Sequence, residues 1–294
     1  MKYDFDQIID RKGTGCIKYD SASEFGKPEG LIPLWIADMD FRVAEPIVEA
    51  LKKKADYGVL GYEKPSSTYF DAVSGWFSRR FGWTPKKEWL VITSGVVPAI
   101  NFAIKALTSE DDGIIIQTPV YYPFTNAIIA NNRRLVENPL VIKDDHYEMD
   151  LDDFEKKIVD NDVKMLIFCS PHNPVGRVWT FDELKAIGEI CNEHDVIVVA
   201  DEIHCDFTYG SHKHTMFIDA CPELAHSLNA DAEDVASFYA DQILCLSAGL
   251  RLSLPKLEKL ELELAPQCAV ILEQSDVIFQ PGVRFGAIWH FETK

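Results

Sequence analysis

Two carboxylates, Asp201 and Glu202, end the apolar run in "VIVVADEIHCDF" (196–207). Burying an unpaired charge is costly, so a carboxylate at the end of a strand that reads as buried calls for a cation. An arginine or lysine of the chain could supply it, and so could a protonated ring nitrogen of a ligand. His204 and Cys205 follow closely, then His212 and His214. These four side chains are zinc ligands by type, but their spacing fits no familiar ligand pattern. Solvated or core histidines are the expectation, with no metal.

Three further segments carry polar groups in positions where a ligand could meet them. "TSGVVPAI" (93–100) leads through a Ser-Gly turn into a helix, and free N–H groups at a helix start suit a phosphate or carboxylate. By itself the segment reads first as a tight strand-to-helix turn. "TPVYYPF" (118–124) brackets Tyr121 and Tyr122 between prolines. An aromatic face there could stack on a flat ligand, or pack on the helix that follows. "SPHNPVG" (170–176) holds Asn173, beside His172, in a loop constrained by two prolines and a glycine. The Asn173 amide can donate to a ligand oxygen; a purely structural turn is the other reading.

The elements that must position these groups follow from periodicity. Helical spacing is expected over "AEPIVEALKKKADYG", stopping at Gly58, and over "STYFDAVSGWFSRRFG", ending near Gly82. Then the pattern alternates. "WLVIT" (89–93), "GIIIQT", "RLVENPLV", "KMLIFCS" and "DVIVVAD" read as strands. "SGVVPAINFAIKALT", "YYPFTNAIIANN" and "TFDELKAIGEICNEH" read as helices. Strands that are apolar throughout, alternating with amphipathic helices, predict a mostly parallel sheet covered on both faces. Ligands of such sheets collect at the carboxyl ends of the strands, which here are marked by Ser94, Thr118, Ser170 and Asp201.

The totals narrow the class. With 294 residues, 47% of them hydrophobic, and a net charge of -18, the chain is an acidic globular protein. That charge argues against nucleic acid and anionic membranes as partners. No apolar run approaches the length of a bilayer span, and the first residues lack a signal-peptide core. The seven cysteines show no C-x-x-C pair, the pattern of reduced thiols in a cytoplasmic protein.

The four segments, in this order, together with "LIPLWIADMDF" (31–41) and "GVLGY" (58–62), resemble the fold-type I pyridoxal-phosphate enzymes. Within that group the chain is most similar to the cystathionine β-lyase-like C–S lyases of the class I/II aminotransferase superfamily, over about residues 1 to 217. The resemblance implies a three-layer α/β/α fold: an N-terminal arm (1–45), a large cofactor-binding domain (46–253) and a shortened C-terminal small domain (254–294). It implies pyridoxal 5′-phosphate as cofactor, with the N–H groups of Gly95, Val96 and Val97 on its phosphate. Tyr121 would stack on the ring, and Asn173 would hydrogen-bond the ring hydroxyl oxygen. Asp201 would pair with the protonated ring nitrogen, supported by His204. Tyr62 would reach the cofactor phosphate of the other subunit in a homodimer. The implied reaction is β-elimination from a cysteine thioether, giving a thiol, pyruvate and ammonia.

One part of the pattern is missing. The family's Schiff-base lysine lies about 30 to 40 residues beyond the aspartate, in a Ser-x-Ser-Lys or Pro-Ser-Lys segment. Between Glu202 and Pro255 the only lysine is Lys213, in a polar turn. "DQILCLSAGLRLS" (241–253) has the expected strand and the Gly-Leu that should follow the lysine, without the lysine between them. The late Arg-x-Asn motif is absent too, and Arg284 in "GVRFG" has the wrong context for its role. Lys256 and Lys259, in the amphipathic "LPKLEKLELEL", read as solvated helix charges. A catalytically inactive binding or regulatory protein of this fold is thus the alternative to a lyase, with an aminotransferase as the alternative chemistry.

Overall fold

The computed structural model describes residues 4–28, 30–61 and 64–226, plus the backbone of short strands between residues 250 and 289. The chain forms two compact units, Met1–Leu60 and Gly61–Lys294.

The first unit is organised by charge. It contains the short helix α1 (Ile17–Asp20) and α2 (Glu45–Tyr57), which stops at Gly58 in the left-handed conformation with φ 69°. Lys18 is buried and donates from Nζ to Asp40 Oδ2 at 2.9 Å and to the Asp38 carbonyl at 2.9 Å. Arg11 bonds the side-chain carboxylates of both Asp38 and Asp40. Lys18 and Arg11 together hold the Asp40 carboxyl down to about 2. The "WIADMDF" segment is therefore tied to the arm by its own aspartates. No residue of α2 is buried.

The second unit carries the sheet. Helix α3 (Ser67–Phe81) starts where Ser66 Oγ accepts the Tyr69 N–H and ends at left-handed Gly82. After α4 (Val96–Leu107) come β1 (Gly113–Thr118), α5 (Pro123–Ala130), β2 (Arg134–Pro139), the hairpin β3 (Val141–Lys143) and β4 (His146–Glu148), α6 (Leu151–Asn161), β5 (Val163–Cys169), α7 (Phe181–Glu193), β6 (Ile197–Asp201) and α8 (Phe217–Ala220). The strands pair in the order β2-β1-β5-β6, all parallel.

Side chains alternate between the two faces of a strand, and here both faces are covered. On one face Ile114, Ile116, Met165 and Ile167 pack with Ile100 and Ile104 of α4 and Phe124 and Ile128 of α5. On the other, Ile115, Leu166 and Phe168 pack with Phe154 and Ile158 of α6, Leu184, Ile187 and Cys191 of α7, and Trp179. Each fully buried isoleucine or leucine contributes about 1.5–3 kcal/mol, which is why Ile114–Ile116 and Met165–Cys169 are unbroken apolar runs. The expected α/β/α layering is observed.

Three expectations change. Residues 89–93 form no strand: a 3-10 turn covers Lys87–Trp89, and Trp89, Val91 and Ile92 are all about half exposed or more. A strand needs an edge to bond to, and no described strand offers one there. Trp89 instead stacks on Trp83. Helix α6 and the β3–β4 hairpin were not anticipated; the hairpin turns on Asp144 and Asp145, both at positive φ, as a two-residue hairpin turn requires. Finally, residues 260–265 of the stretch read as helical are a strand, β8 (Leu260–Ala265), between β7 (Leu250–Ser253) and β11 (Arg284–Trp289) in an antiparallel sheet. "LELELA" alternates with period two, the signature of a strand. The pair β9 (Ile271–Glu273) and β10 (Asp276–Ile278) forms a hairpin. Residues 256 and 259, and the lysine-motif region at 241–249, lie outside the described residues.

Candidate functional site

The carboxyl ends of β1, β5 and β6 lie side by side, and three of the sequence-marked groups stand on them. Thr118 ends β1, Ser170 follows β5, and Asp201 ends β6, in register with Cys169. The Ser170 N–H donates to the Asp201 carbonyl at 3.0 Å. Ser94, by contrast, precedes α4 without a strand before it.

Asp201 is 7% exposed. Its Oδ1 accepts the Ile203 N–H at 3.1 Å, and no lysine or arginine among the described residues pairs with it. Burial therefore raises its carboxyl above the ordinary value, against the lowering effect of the Ile203 bond and of His204. Glu202 is engaged differently: its Oε1 accepts both the Phe217 N–H and His214 Nε2–H, each at 2.9 Å. Those bonds anchor the chain just beyond β6. Trp76 Nε1 and Arg80 Nε of α3, both 3.0 Å from Asp206, anchor it a second time.

Asn173 and His204 share a cavity of about 410 Å³ whose lining also includes His172, Phe207, Tyr209 and His212. Asp201 and Tyr121 lie outside that lining. Tyr121 is half-buried, with its ring edge-on to Phe124 at 6.0 Å. Burial, then Tyr122, then Asp201 raise its hydroxyl pKa, so Tyr121 feels the Asp201 charge. Both readings of its segment are thus present: it packs on α5 and faces the strand ends.

Gly95 opens α4 at φ 156°, where a side chain is strained, and no side-chain oxygen caps this helix end. The Val96 and Val97 N–H groups have no intrahelical acceptor, and Pro98 has no N–H at all. Through Val96 and Ile100, α4 joins the cluster that contains Tyr121 and Val199. Tyr62 lies outside the described residues. Among the described residues His204, Cys205, His212 and His214 do not gather as metal ligands; the one such cluster there is Glu155 in the middle of α6 with Glu193 and His194 at the end of α7.

His172, noted in the sequence only as the neighbour of Asn173, has a contact of its own. It is buried, and its Nε2–H donates to the Pro119 carbonyl at 3.0 Å, joining the loop of Asn173 to the loop of Tyr121. Cys169 and Trp179 take part as well: the Cys169 Sγ accepts the Asn173 N–H at 3.3 Å, and Trp179 Nε1 donates to the Cys169 carbonyl at 3.0 Å. Their signal was adjacency: Cys169 ends the strand and His172 precedes the asparagine.

The profile of the family described as aminotransferase class I and II matches residues 30–237. The chain belongs to this family. It is 42% identical over 221 residues to cystathionine beta-lyase PatB of Bacillus subtilis, covering 75% of this chain and 57% of that protein. It is 34% identical to MalY of Escherichia coli, covering 72% and 55%. Among solved structures, cystalysin of Treponema denticola, which contains pyridoxal 5′-phosphate, superposes with a TM-score of 0.72 at 41% identity. That match covers 76% of this chain and 58% of cystalysin. The chain thus spans a little over half the length of the relatives it matches. Among the described residues no helix is long and apolar enough to cross a membrane.

Proposed function

We propose that this chain binds pyridoxal 5′-phosphate and belongs to a carbon–sulfur β-lyase that cleaves cysteine thioethers to a thiol, pyruvate and ammonia. The observation that carries the reading is Asp201, a buried carboxylate at a strand end with no lysine or arginine paired to it among the described residues. The residues fit the group by donor type: an anionic site for a protonated ring nitrogen, uncapped N–H groups for a phosphate, an amide for a ring oxygen and an aromatic face.

The bound cofactor supplies an electron sink for charge developed at the substrate α-carbon. Asp201 holds a proton on the ring nitrogen against it, an effect strengthened by low dielectric. Val96 and Val97 fix the phosphate by their backbone donors, aided by the helix dipole. Asn173 orients the ring oxygen, and His204, next to Asp201, supports the carboxylate. The small-molecule substrate is an amino acid, and a homodimer would bring Tyr62 to the neighbouring site.

A second reading is favoured by one observation. Lys213, the only lysine of the sequence between Glu202 and Pro255, is exposed in the polar segment beyond β6. A protein of this fold that holds the cofactor without turnover accommodates that fact. Reduction of the cofactor-loaded protein with borohydride, followed by peptide mass mapping, separates the two. A single modified lysine and pyruvate release from cystathionine support the lyase. Saturable binding with no adduct and no pyruvate supports the silent protein.

A further inference from the structure

We propose that His172 is a positioning residue, a side-chain strut that locks the loop bearing Asn173 onto the loop bearing Tyr121. The inference rests on the cofactor reading for its consequence, although the strut itself is a property of the protein alone.

The geometry is specific. The His172 N–H donates to the Arg177 carbonyl at 2.8 Å, and the His172 carbonyl accepts the Gly176 N–H at 2.8 Å. The backbone of His172 thus closes its own loop, leaving the ring to act elsewhere. The ring sits edge-on to Trp179, 5.6 Å between centroids, and reaches 53 residues back to the Pro119 carbonyl. That carbonyl is two residues from Tyr121. A carbonyl can only accept, so Nε2 carries the proton. Burial pushes the imidazole down to about 4, so it is neutral and Nδ1 is a bare acceptor. Nδ1 has no hydrogen-bond partner among the described residues, and neither has the buried Ser170 Oγ. The one hydrogen bond described for the ring is thus the one that spans the two loops. A histidine kept for packing alone would be replaceable by an apolar ring of the same size.

The test uses His172→Phe, which keeps the ring against Trp179 but cannot donate, and His172→Gln, whose amide can replace the Nε2–H donor. In the cofactor-free protein, amide hydrogen exchange is measured by segment. His172→Phe should speed exchange in both 119–122 and 170–176, with the β1 and β5 core unchanged, and His172→Gln should restore protection. Unaltered exchange in 119–122 would overturn the proposal whether or not the protein binds cofactor. In parallel, pyridoxal 5′-phosphate affinity is read by absorbance titration. His172→Phe should weaken it about ten-fold, the scale of one buried hydrogen bond, His172→Gln should recover most of that, and the loss should shrink in an Asn173→Ala background. Equal affinities for the Phe and Gln variants, or full additivity with Asn173→Ala, would overturn the positioning role. A wild-type protein that takes up no cofactor would overturn the functional reading instead, and the exchange result would then decide His172 by itself.

Discussion

Replacing Asp201 by asparagine should stabilise the cofactor-free protein at neutral pH. Asp201 is 7% exposed, and the backbone of Ile203 donates to one of its oxygens. An uncompensated buried charge costs on the order of 3–5 kcal/mol, and one hydrogen bond to a charged group returns about 1.5–3 kcal/mol. The wild type is left about 2 kcal/mol worse off, while the asparagine carbonyl keeps the bond from Ile203. In a chain of this size each kcal/mol moves Tm by about 2–4 °C, so the variant should melt roughly 4–8 °C higher. The pH dependence has a definite sign. Burial raises the folded carboxyl above its ordinary value, so with rising pH the unfolded chain gives up this proton first. Stability falls between the ordinary and the raised value and stays at the lower level above it. The asparagine advantage is therefore full above the raised value and vanishes once the pH drops below the ordinary carboxylate value of 3.8. Circular dichroism melts of both proteins without cofactor, across that range, measure it directly. A variant that melts at or below the wild type at pH 7 would refute the reasoning, because Asp201 would then already have its cation within the chain.

Other perturbations test the frame that holds the site. Gly188 faces Cys221 so closely that an added Cβ would lie 2.2 Å from its Sγ. Gly188→Ala should cost about 1–3 kcal/mol by overpacking, and Cys221→Ala in the same chain should recover part of it, as read from denaturant midpoints. Thr180 and Glu183 form a reciprocal capping box at the start of α7. Thr180→Ala should cost about 1 kcal/mol in the same assay without changing cofactor affinity. Gly95→Ala has room, the nearest atom being Pro98 Cδ at 3.7 Å, so its cost is conformational, about 1–3 kcal/mol, and should appear in both Tm and phosphate-dependent cofactor affinity.

The parallel sheet was legible because Ile114–Ile116 and Met165–Phe168 are apolar on both faces, a pattern that only a doubly covered strand requires. Asp201 was legible for the opposite reason, as a charge where none belongs. The strand expected at 89–93 was not: its apolar run is sound, but a strand is a pairing, and pairing is not written in one segment. "LELELA" was misread because its leucines were grouped with the leucines and lysines before them, hiding the period of two. His172 could be noted beside Asn173 but not its contact, a bond to a carbonyl 53 residues away, because nothing in a local pattern reports a partner at that distance. The charge ties of Lys18 and Arg11 to Asp38 and Asp40 have the same origin.

The most direct test is a titration of the purified protein with pyridoxal 5′-phosphate, followed by absorbance, set beside Asp201→Ala. Saturable binding to the wild type at one site per chain, weakened a hundred-fold or more in the variant, is the expected result. Equal binding by the two proteins would contradict the assignment of Asp201 to the cofactor, and with it the reading of this site.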